Sequence, residues 1–242
     1  MCGIFGFIAN GGRGIADANA DLDRGMQVIR HRGPDGGGRW ISSDGRVGMG
    51  HVRLSIIDLE SGDQPMISGD GRYVIVYNGE IYNYLELRDE LGAASFRTGS
   101  DTEVVLRSFE RWGTDCLNRL RGMFAIAIWD NFENRIFLAR DRFGIKPLYW
   151  ARTPAGLYFA SETKALLPFL KQRQVSRAAL SDYFTFQFLL GEKTLMDGTW
   201  QLAAAHYAVV APREEPAPRC YWEVHYNIDY DHTCLLYTSD AA

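Results

Sequence analysis

A cysteine directly follows the initiator methionine in the opening sequence MCGIFGFIA. Because a small residue at this position permits removal of Met1, Cys2 can become the first residue, with a free α-amine beside its thiol. The reference pKa of that amine, about 7.7–8.0, lies near the thiol value of about 8.5, so the amine can accept the thiol proton. Cys2 is therefore a candidate nucleophile for acyl transfer, and a buried, inert cysteine is the alternative.

A second candidate group lies in the segment YNGEIYN, where Asn78 and Gly79 end a β-branched run. The pair sets a carboxamide donor beside an unobstructed backbone N–H, which suits an oxyanion hole. Asn-Gly is also the strongest short hairpin signal, so a plain turn explains the same residues.

Charged residues flank these groups in apolar or structured segments. Arg53 lies in a mostly apolar predicted strand, so its guanidinium must be paired or face a cavity, where it can bind a carboxylate bidentately. A structural ion pair is the alternative for Arg53. Glu80 and Asp101 stand at predicted helix starts, where helix capping accounts for them equally well.

The composition limits the class of protein. With 242 residues, 46% of them hydrophobic, the chain can bury a substantial core, and its net charge of −4 predicts no binding to nucleic acid or anionic membranes. No apolar run reaches the length of a membrane span and no signal peptide is evident, so we expect a cytoplasmic protein. The cysteines and histidines lack metal-ligand spacing, which predicts thiols and no metal site.

The elements that must position these residues follow from hydrophobic patterning. The patterns predict a helix capped by Asp17, strands in VGMGHVRLSIIDL and YVIVYNG, a helix over EIYNYLELRDEL, and a helix over SDTEVVLRSFERWG capped by Ser100 or Asp101. A meander of short strands follows, and then helices over SETKALLPFL and SRAALSDYFTFQFL. Strand-rich blocks with helices between them predict two packed sheets covered by helices, an α/β or α+β layered domain.

Taken together, the motifs resemble the glutaminase domain of glutamine-dependent asparagine synthetases. The segments that carry the resemblance are MCGIFGFIA, RHRGPDGGG, HVRLSIIDLESGDQPM, YNGEIYNYLELRDEL, TGSDTEVVL, GMFAIAIWD, ARDRFGIKPLYW and ASETKALL. The resemblance covers residues 1–226 and implies a four-layer αββα sandwich of the N-terminal nucleophile hydrolase type.

The resemblance also implies a role for each candidate residue. Cys2 would attack the side-chain amide of glutamine, with its own α-amine moving the proton, and Asn78 and the Gly79 N–H would form the oxyanion hole. Arg53 would bind the α-carboxylate of glutamine. Glu80 and Asp101 would accept hydrogen bonds from its α-ammonium. The products would be glutamate and ammonia.

The same resemblance predicts a domain division, with a glutaminase domain over residues 2–211 and a truncated linker and unassigned tail over 212–242. The pyrophosphate motif SGGxDS of the synthetase domain does not occur in the sequence. We therefore expect that domain to be absent, ATP and Mg²⁺ to be needed only there, and no cofactor in this chain. Ala204 and Ala205 stand where the family usually has Pro-Gly.

The expected partners are glutamine and a synthetase domain or separate protein that accepts ammonia, and a homodimer is left open. Two alternatives to ammonia supply for asparagine synthesis also stay open. The first is amidation of another carboxylate, and the second is a silent glutamine-binding regulatory module. Retention of all six candidate residues favours an active enzyme, because a silent module has no chemical reason to keep them.

Overall fold

The computed structural model describes residues 2–12, 14–54 and 62–226. Its strands are β1 (Gly3–Ala9), β2 (Gly36–Ile41), β3 (Val47–Arg53), β4 (Met66–Ile67), β5 (Tyr73–Ile81), β6 (Gly122–Asp130), β7 (Arg135–Arg140), β8 (Tyr149–Thr153), β9 (Gly156–Ala160), β10 (Trp200–Gln201), β11 (His206–Val210) and β12 (Arg219–Cys220). They form two six-stranded sheets with the orders β10-β8-β9-β1-β3-β2 and β12-β11-β7-β6-β5-β4. The pairing within both sheets is antiparallel.

The helices are α1 (Ile15–Val28), α2 (Tyr84–Leu91), α3 (Asp101–Trp112), α4 (Cys116–Arg119) and α5 (Arg177–Phe186). Helix α1 covers the outer face of the first sheet, where Ala18 and Leu22 pack with Phe5 and Phe7. Helices α2, α3 and α4 cover the outer face of the second sheet.

The inner faces of the two sheets pack against each other. Ile4, Ile8 and Met49 of the first sheet share one buried cluster with Val74 and Val76 of the second. Successive strand residues point to opposite faces, so each central strand supplies this inner layer and an outer layer at once. The predicted four-layer αββα sandwich is therefore confirmed.

The second sheet extends further than the patterns predicted. Strand β5 continues through Glu80 and Ile81, which pair with Met123 and Gly122 of β6, so the helix predicted from Glu80 begins only at Tyr84. The prediction was wrong here because Glu80 and Ile81 still have strand partners in β6, and this pairing outweighs the helical pattern.

The other helix predictions were met in part. Helix α3 begins after Ser100, whose hydroxyl accepts a hydrogen bond from the Thr102 N–H, so Ser100 and not Asp101 is the cap. Helix α1 begins after Gly14, and Asp17 lies in its first turn instead of capping it. The segment 163–169 forms two 3₁₀ turns instead of the predicted helix, with Pro168 near the start of the second.

Residues beyond the predicted boundary at 211 also contact the sandwich. Strand β12 pairs with β11, and the Tyr221 hydroxyl donates to the Arg140 carbonyl at 2.9 Å. The division at residue 211 stays a prediction. The predicted end of the strand after Arg53, from Ser55 onward, and Cys234 lie outside the described residues.

The turn before β11 carries the departure noted in the sequence. Ala205 has a φ of +57°, in the left-handed region that favours glycine, and it is 4% exposed. Its N–H donates to the Asp141 carbonyl at 2.9 Å, and its own carbonyl accepts from the Tyr221 N–H at 2.9 Å. The chain thus makes the turn without glycine, held by hydrogen bonds on both sides.

We expect Ala205→Gly to stabilise the fold by up to about 1 kcal/mol, because a left-handed residue with a Cβ costs roughly 1–2 kcal/mol. Ala204 is the matched control, because its φ is not positive. Ala204→Gly should therefore destabilise by about 0.5–1 kcal/mol through unfolded-state entropy. Urea unfolding measures both, and two shifts of the same sign would contradict the strain at Ala205.

Candidate active site

The inner face of the first sheet changes from apolar to polar at one end. Cys2 precedes Ile4 by two residues and so continues the face that Ile4 supplies to the core. On β3, His51 and Arg53 continue the face of Met49 in the same way. The alternation therefore brings the thiol, the imidazole and the guanidinium to the same end of the sandwich.

The second sheet meets them there. Asn78 and Glu80 continue the inner face of Val74 and Val76 on β5. A single pocket is lined by all six sequence-predicted residues, namely Cys2, Arg53, Asn78, Gly79, Glu80 and Asp101. The resemblance assigned them as a set, and the structure brings the set together.

The Cys2 thiol rests against the end of β3. Its Sγ accepts from the Leu54 N–H at 3.3 Å and donates to the Leu54 carbonyl at 3.4 Å. The Cys2 carbonyl accepts from Arg32 Nε at 3.0 Å. The residue is half-buried, so the thiol is held by the backbone and still borders the pocket.

Asn78 presents an unused hydrogen-bond donor. The residue is 1% exposed, and its Nδ2 is buried with no hydrogen-bond acceptor. A buried donor without a partner lowers the stability of the fold by about 1–3 kcal/mol. A ligand oxygen that accepts a hydrogen bond from Nδ2 would explain why the group is kept. Asn78 pairs with Ala125 within β5 and β6, which rules out the hairpin turn as the reason for Asn-Gly.

The backbone N–H of Gly79 lies on the edge of β5 that faces away from β6. Gly79 lies opposite Phe124, whose N–H donates to Asp141 Oδ2 at 3.1 Å. The two residues therefore form a non-hydrogen-bonded pair, and the backbone N–H of Gly79 points away from β6. The N–H groups of the alternate residues Tyr77 and Ile81 donate at that edge to side chains of Gln64, at 2.6 Å, and Asp101, at 3.0 Å. The Gly79 N–H lies between them.

No side chain fits at Gly79. A Cβ there would lie 2.4 Å from the Met123 carbonyl oxygen and 2.9 Å from the Phe124 Cα, both of which are backbone atoms of β6. Glycine is therefore required by the close approach of the neighbouring strand.

The acidic residues occupy different elements. Asp101 begins α3, and its Oδ2 accepts from the Tyr77 hydroxyl at 2.8 Å as well as from Ile81. Burial raises the pKa of Asp101, and the two hydrogen bonds oppose that shift. Glu80 lies within β5, half-buried, and not at a helix start as predicted. Both carboxyl groups border the pocket.

The predicted carboxylate-binding residue already has a partner. Arg53 Nη1 lies 2.8 Å from Asp63 Oδ1, and the side chains are 12% and 88% exposed. The structural ion pair considered from the sequence is therefore present. Because Asp63 is almost fully exposed, this pair is open to solvent and to competition by another carboxylate.

The pocket residues that the sequence analysis did not assign to the site include His51 and Lys146. His51 shares the inner face of β3 with Arg53, so strand alternation could have identified it. Lys146, which is 6% exposed, follows a turn and carries no periodic signal. Its N–H donates to Asp141 Oδ2 at 2.9 Å, the same oxygen that accepts from Phe124, so Asp141 ties the Lys146 turn to β6 opposite Gly79.

Within residues 2–12, 14–54 and 62–226, no cluster of three or more His, Cys, Asp or Glu side chains could hold a metal ion. The same residues contain no helix long and apolar enough to cross a membrane. The cysteines described, Cys2, Cys116 and Cys220, are free thiols, and burial raises the pKa of Cys116 to about 12.

Comparison with known proteins identifies the fold family. A family model described as a glutamine amidotransferase domain matches residues 1–222. The chain belongs to this glutamine amidotransferase family. The resemblance stated from the motifs is thereby confirmed.

Two relatives from Bacillus subtilis (strain 168) are named glutamine-hydrolysing asparagine synthetases. Asparagine synthetase 1 is 43% identical over 198 residues, which cover 81% of this chain and 31% of the relative. Asparagine synthetase 3 is 41% identical over 191 residues, which cover 76% and 30%. This amidotransferase chain therefore spans about a third of the length of the curated relatives it matches.

A solved structure shares the fold. The glutamine phosphoribosylpyrophosphate amidotransferase of Bacillus subtilis superimposes with a TM-score of 0.67 over 91% of this chain and 49% of its own, at 19% identity. At this identity the match concerns the fold alone.

The buried imidazole of His51 should make the stability of the fold depend on pH. Burial, together with the nearby charge of Arg53, lowers the pKa of His51 from 6.5 to about 3. Between these values the unfolded chain binds one more proton than the folded protein, so His51 contributes stability that is complete above pH 6.5 and is lost on acidification.

We expect His51→Gln to reduce the pH slope of the unfolding free energy by up to about 1.4 kcal/mol per pH unit between about pH 6 and 4. Urea unfolding at several pH values measures the slope. His225, an exposed histidine, supplies the control variant His225→Gln. Equal slopes for His51→Gln and the unmodified protein would rule out a neutral buried imidazole.

Proposed function

We propose that this chain hydrolyses the side-chain amide of glutamine to glutamate and ammonia, with Cys2 as nucleophile once Met1 is removed. The observation that carries the proposal is Asn78 Nδ2, a buried donor without an acceptor that borders the same pocket as the Cys2 thiol. A donor of this kind stabilises negative charge on an oxygen that develops during acyl transfer.

The α-amine of Cys2 is the base in this mechanism. It takes the thiol proton, and the thiolate attacks the amide carbon of glutamine to form a C–S bond. The negative charge moves to the former carbonyl oxygen, which accepts from Asn78 Nδ2 and the Gly79 N–H. The protonated amine returns the proton to the leaving nitrogen, so ammonia departs and a γ-glutamyl thioester remains.

The second half of the reaction regenerates the thiol. A water molecule gives a proton to the α-amine and attacks the thioester carbon, and the same two donors stabilise the new oxyanion. The C–S bond breaks, glutamate leaves, and the thiolate recovers the proton. Atoms and charges balance with no group outside the Cys2 residue, the two donors and water.

The charges in the pocket suit the free amino acid. Arg53 would bind the α-carboxylate of glutamine, and Glu80 and Asp101 would accept from the α-ammonium. The Asp101 carboxylate is oriented for this role by Tyr77 and Ile81, which occupy its Oδ2. A zwitterionic ligand needs fixed charges of both signs, and these three side chains on the pocket lining supply them.

We further infer that the ammonia serves asparagine synthesis from aspartate and ATP. This part of the proposal rests on the names of the relatives at 41–43% identity. ATP and Mg²⁺ would be required by the synthetase reaction, beyond the residues matched here, and the ammonia acceptor would be a synthetase domain. A cytoplasmic location belongs to the same proposal.

The test is the release of glutamate and ammonia from glutamine by the purified chain. We expect Cys2→Ala to abolish release and Asn78→Ala to lower kcat by about 100- to 1,000-fold, the cost of one oxyanion donor. Intact mass confirms removal of Met1 in each preparation. Release that persists in Cys2→Ala would refute the nucleophile assignment.

An extension of the chain provides the matched control for the amine. One uncleaved residue before Cys2 keeps the thiol but converts the α-amine into an amide, so activity should be lost. A C-terminal extension of the same length should leave activity unchanged. Full activity of the N-terminally extended protein would exclude the α-amine as base.

A second prediction concerns the competition at Arg53. Arg53→Ala should chiefly raise KM for glutamine, because it removes binding made in both ground and transition states. Asp63→Asn should lower KM, because the substrate carboxylate no longer displaces a charged partner 2.8 Å from Nη1. Steady-state kinetics measures both, and a raised KM in Asp63→Asn would mean that Asp63 helps to hold glutamine.

A further inference from the structure

A nucleophile at the end of a chain presents a positional problem. Terminal residues fray unless they are tied down, and only one side of Cys2 is attached to the fold. If the α-amine is the base, as the proposed function requires, it must also stay available for proton transfer. The carbonyl and the following residues are then what the rest of the protein can use to fix Cys2.

The carbonyl of Cys2 is held by Arg32. Nε of Arg32 donates to it at 3.0 Å, and the Arg32 side chain is only 10% exposed. The aliphatic part of Arg32 lies over Gly3, where an added Cβ would approach Arg32 Cδ to 3.1 Å. Arg32 therefore covers the first peptide unit of the strand and fixes its carbonyl.

Arg32 is held in turn by Glu162. Its Nη1 lies 2.9 Å from Glu162 Oε1. The same carboxylate accepts from His31 Nε2 at 2.8 Å and Lys164 Nζ at 2.9 Å. Burial acts to raise the pKa of Glu162, but the hydrogen bonds from Arg32, Lys164 and His31 outweigh it and lower the pKa to about 2. The carboxylate is thus fully charged at neutral pH.

Ser161, the residue before Glu162, makes two hydrogen bonds to Ile4 near the start of β1. Ser161 Oγ accepts from the Ile4 N–H at 3.0 Å, and the Ser161 N–H donates to the Ile4 carbonyl at 2.9 Å. Two consecutive residues after β9 thus reach Ile4 directly and Cys2 through Arg32. The arrangement clamps the chain end from the side and leaves the Cys2 amine untouched.

We propose that Glu162 is a positioning residue for Cys2, which it holds through Arg32. It touches neither substrate nor reacting atoms. Its carboxylate fixes the guanidinium whose Nε sets the Cys2 carbonyl, and so it sets the direction of the thiol and the α-amine relative to Asn78. This inference rests on the proposed role of Cys2.

The test compares glutaminase kinetics of Glu162→Ala with the unmodified chain. We expect kcat to fall by about 10- to 100-fold, as for a misplacement of about 1 Å, while KM for glutamine changes by less than about twofold. Glu162→Gln keeps the shape of the side chain and can still accept from Arg32, so its kcat should lie between those of Glu162→Ala and the unmodified chain. This variant replaces Glu162→Ala in the test if Glu162→Ala does not fold.

Glu90 supplies a matched control. It pairs with Arg119 at 2.6 Å in an exposed ion pair, so Glu90→Ala removes a carboxylate–guanidinium contact that has no connection to Cys2. Its kinetics should equal those of the unmodified chain. An equal loss in Glu90→Ala and Glu162→Ala would overturn the proposal.

A double-mutant cycle tests the route through Arg32. If Glu162 acts only through this side chain, Glu162→Ala should add no further loss of kcat to Arg32→Ala. Effects that multiply would overturn the proposal, as would a change confined to KM or an unchanged kcat in Glu162→Ala.

Hydrogen exchange separates this proposal from the function it rests on. Glu162→Ala should speed amide exchange in the peptide 3–8 by about tenfold, with no such change in Glu90→Ala. If Cys2→Ala kept its activity, the proposed function would fail while the exchange result still reported on the clamp. If Glu162→Ala changed neither the exchange of this peptide nor kcat, the proposal that Glu162 positions Cys2 would be refuted.

Discussion

The proposed chemistry depends on fixing Cys2 through its backbone while its thiol and α-amine stay uncovered. Strand β1 lies in the interior of its sheet, between β3 and β9, so ladder bonds on both edges hold the segment that follows Cys2. Ladder bonds end where the strand ends. On the β9 edge, pairing ends at Phe5 and Ser161 holds Ile4, and before Gly3 the contacts to Cys2 come from Leu54 and Arg32. Helix α1 and the inner core then position the strand from its two faces.

The pocket combines stability costs that a purely structural site would avoid. Asn78 buries a donor without an acceptor, and Lys146 and Asp101 bring charged groups into a largely buried space. Each is held in place by backbone contacts: Asn78 pairs with Ala125 of β6, Asp141 ties the Lys146 turn to β6, and the Ile81 N–H orients Asp101. The polar groups are therefore fixed before any substrate arrives, which is the condition for electrostatic catalysis in a preorganised site.

The sequence predicted the layers well because strand alternation and antiparallel meanders are local signals. It located the six pocket residues only through resemblance. Taken alone, Asn78 and Gly79 resemble a hairpin, since nothing local reveals that β6 pairs with them. The helix predicted from Glu80 failed for the same reason. Lys146 lines the pocket beside Cys2 and Asn78, and Glu162 pairs with Arg32; both placements bring distant segments together, which neither periodicity nor composition encodes.

The two halves of the pocket belong to different sheets, joined across an apolar layer. The Cys2 thiol comes from the first sheet, and the proposed oxyanion donors, Asn78 Nδ2 and the Gly79 N–H, come from the second. The apolar packing between the sheets is non-directional, unlike the hydrogen-bond ladders within each sheet. A slip of one sheet by a single residue, about 3.3 Å, would separate the proposed nucleophile from the proposed donors while every strand stayed paired within its sheet. The distance between the thiol and the two donors is therefore set by side-chain packing in the apolar layer between the sheets, and not by backbone hydrogen bonds.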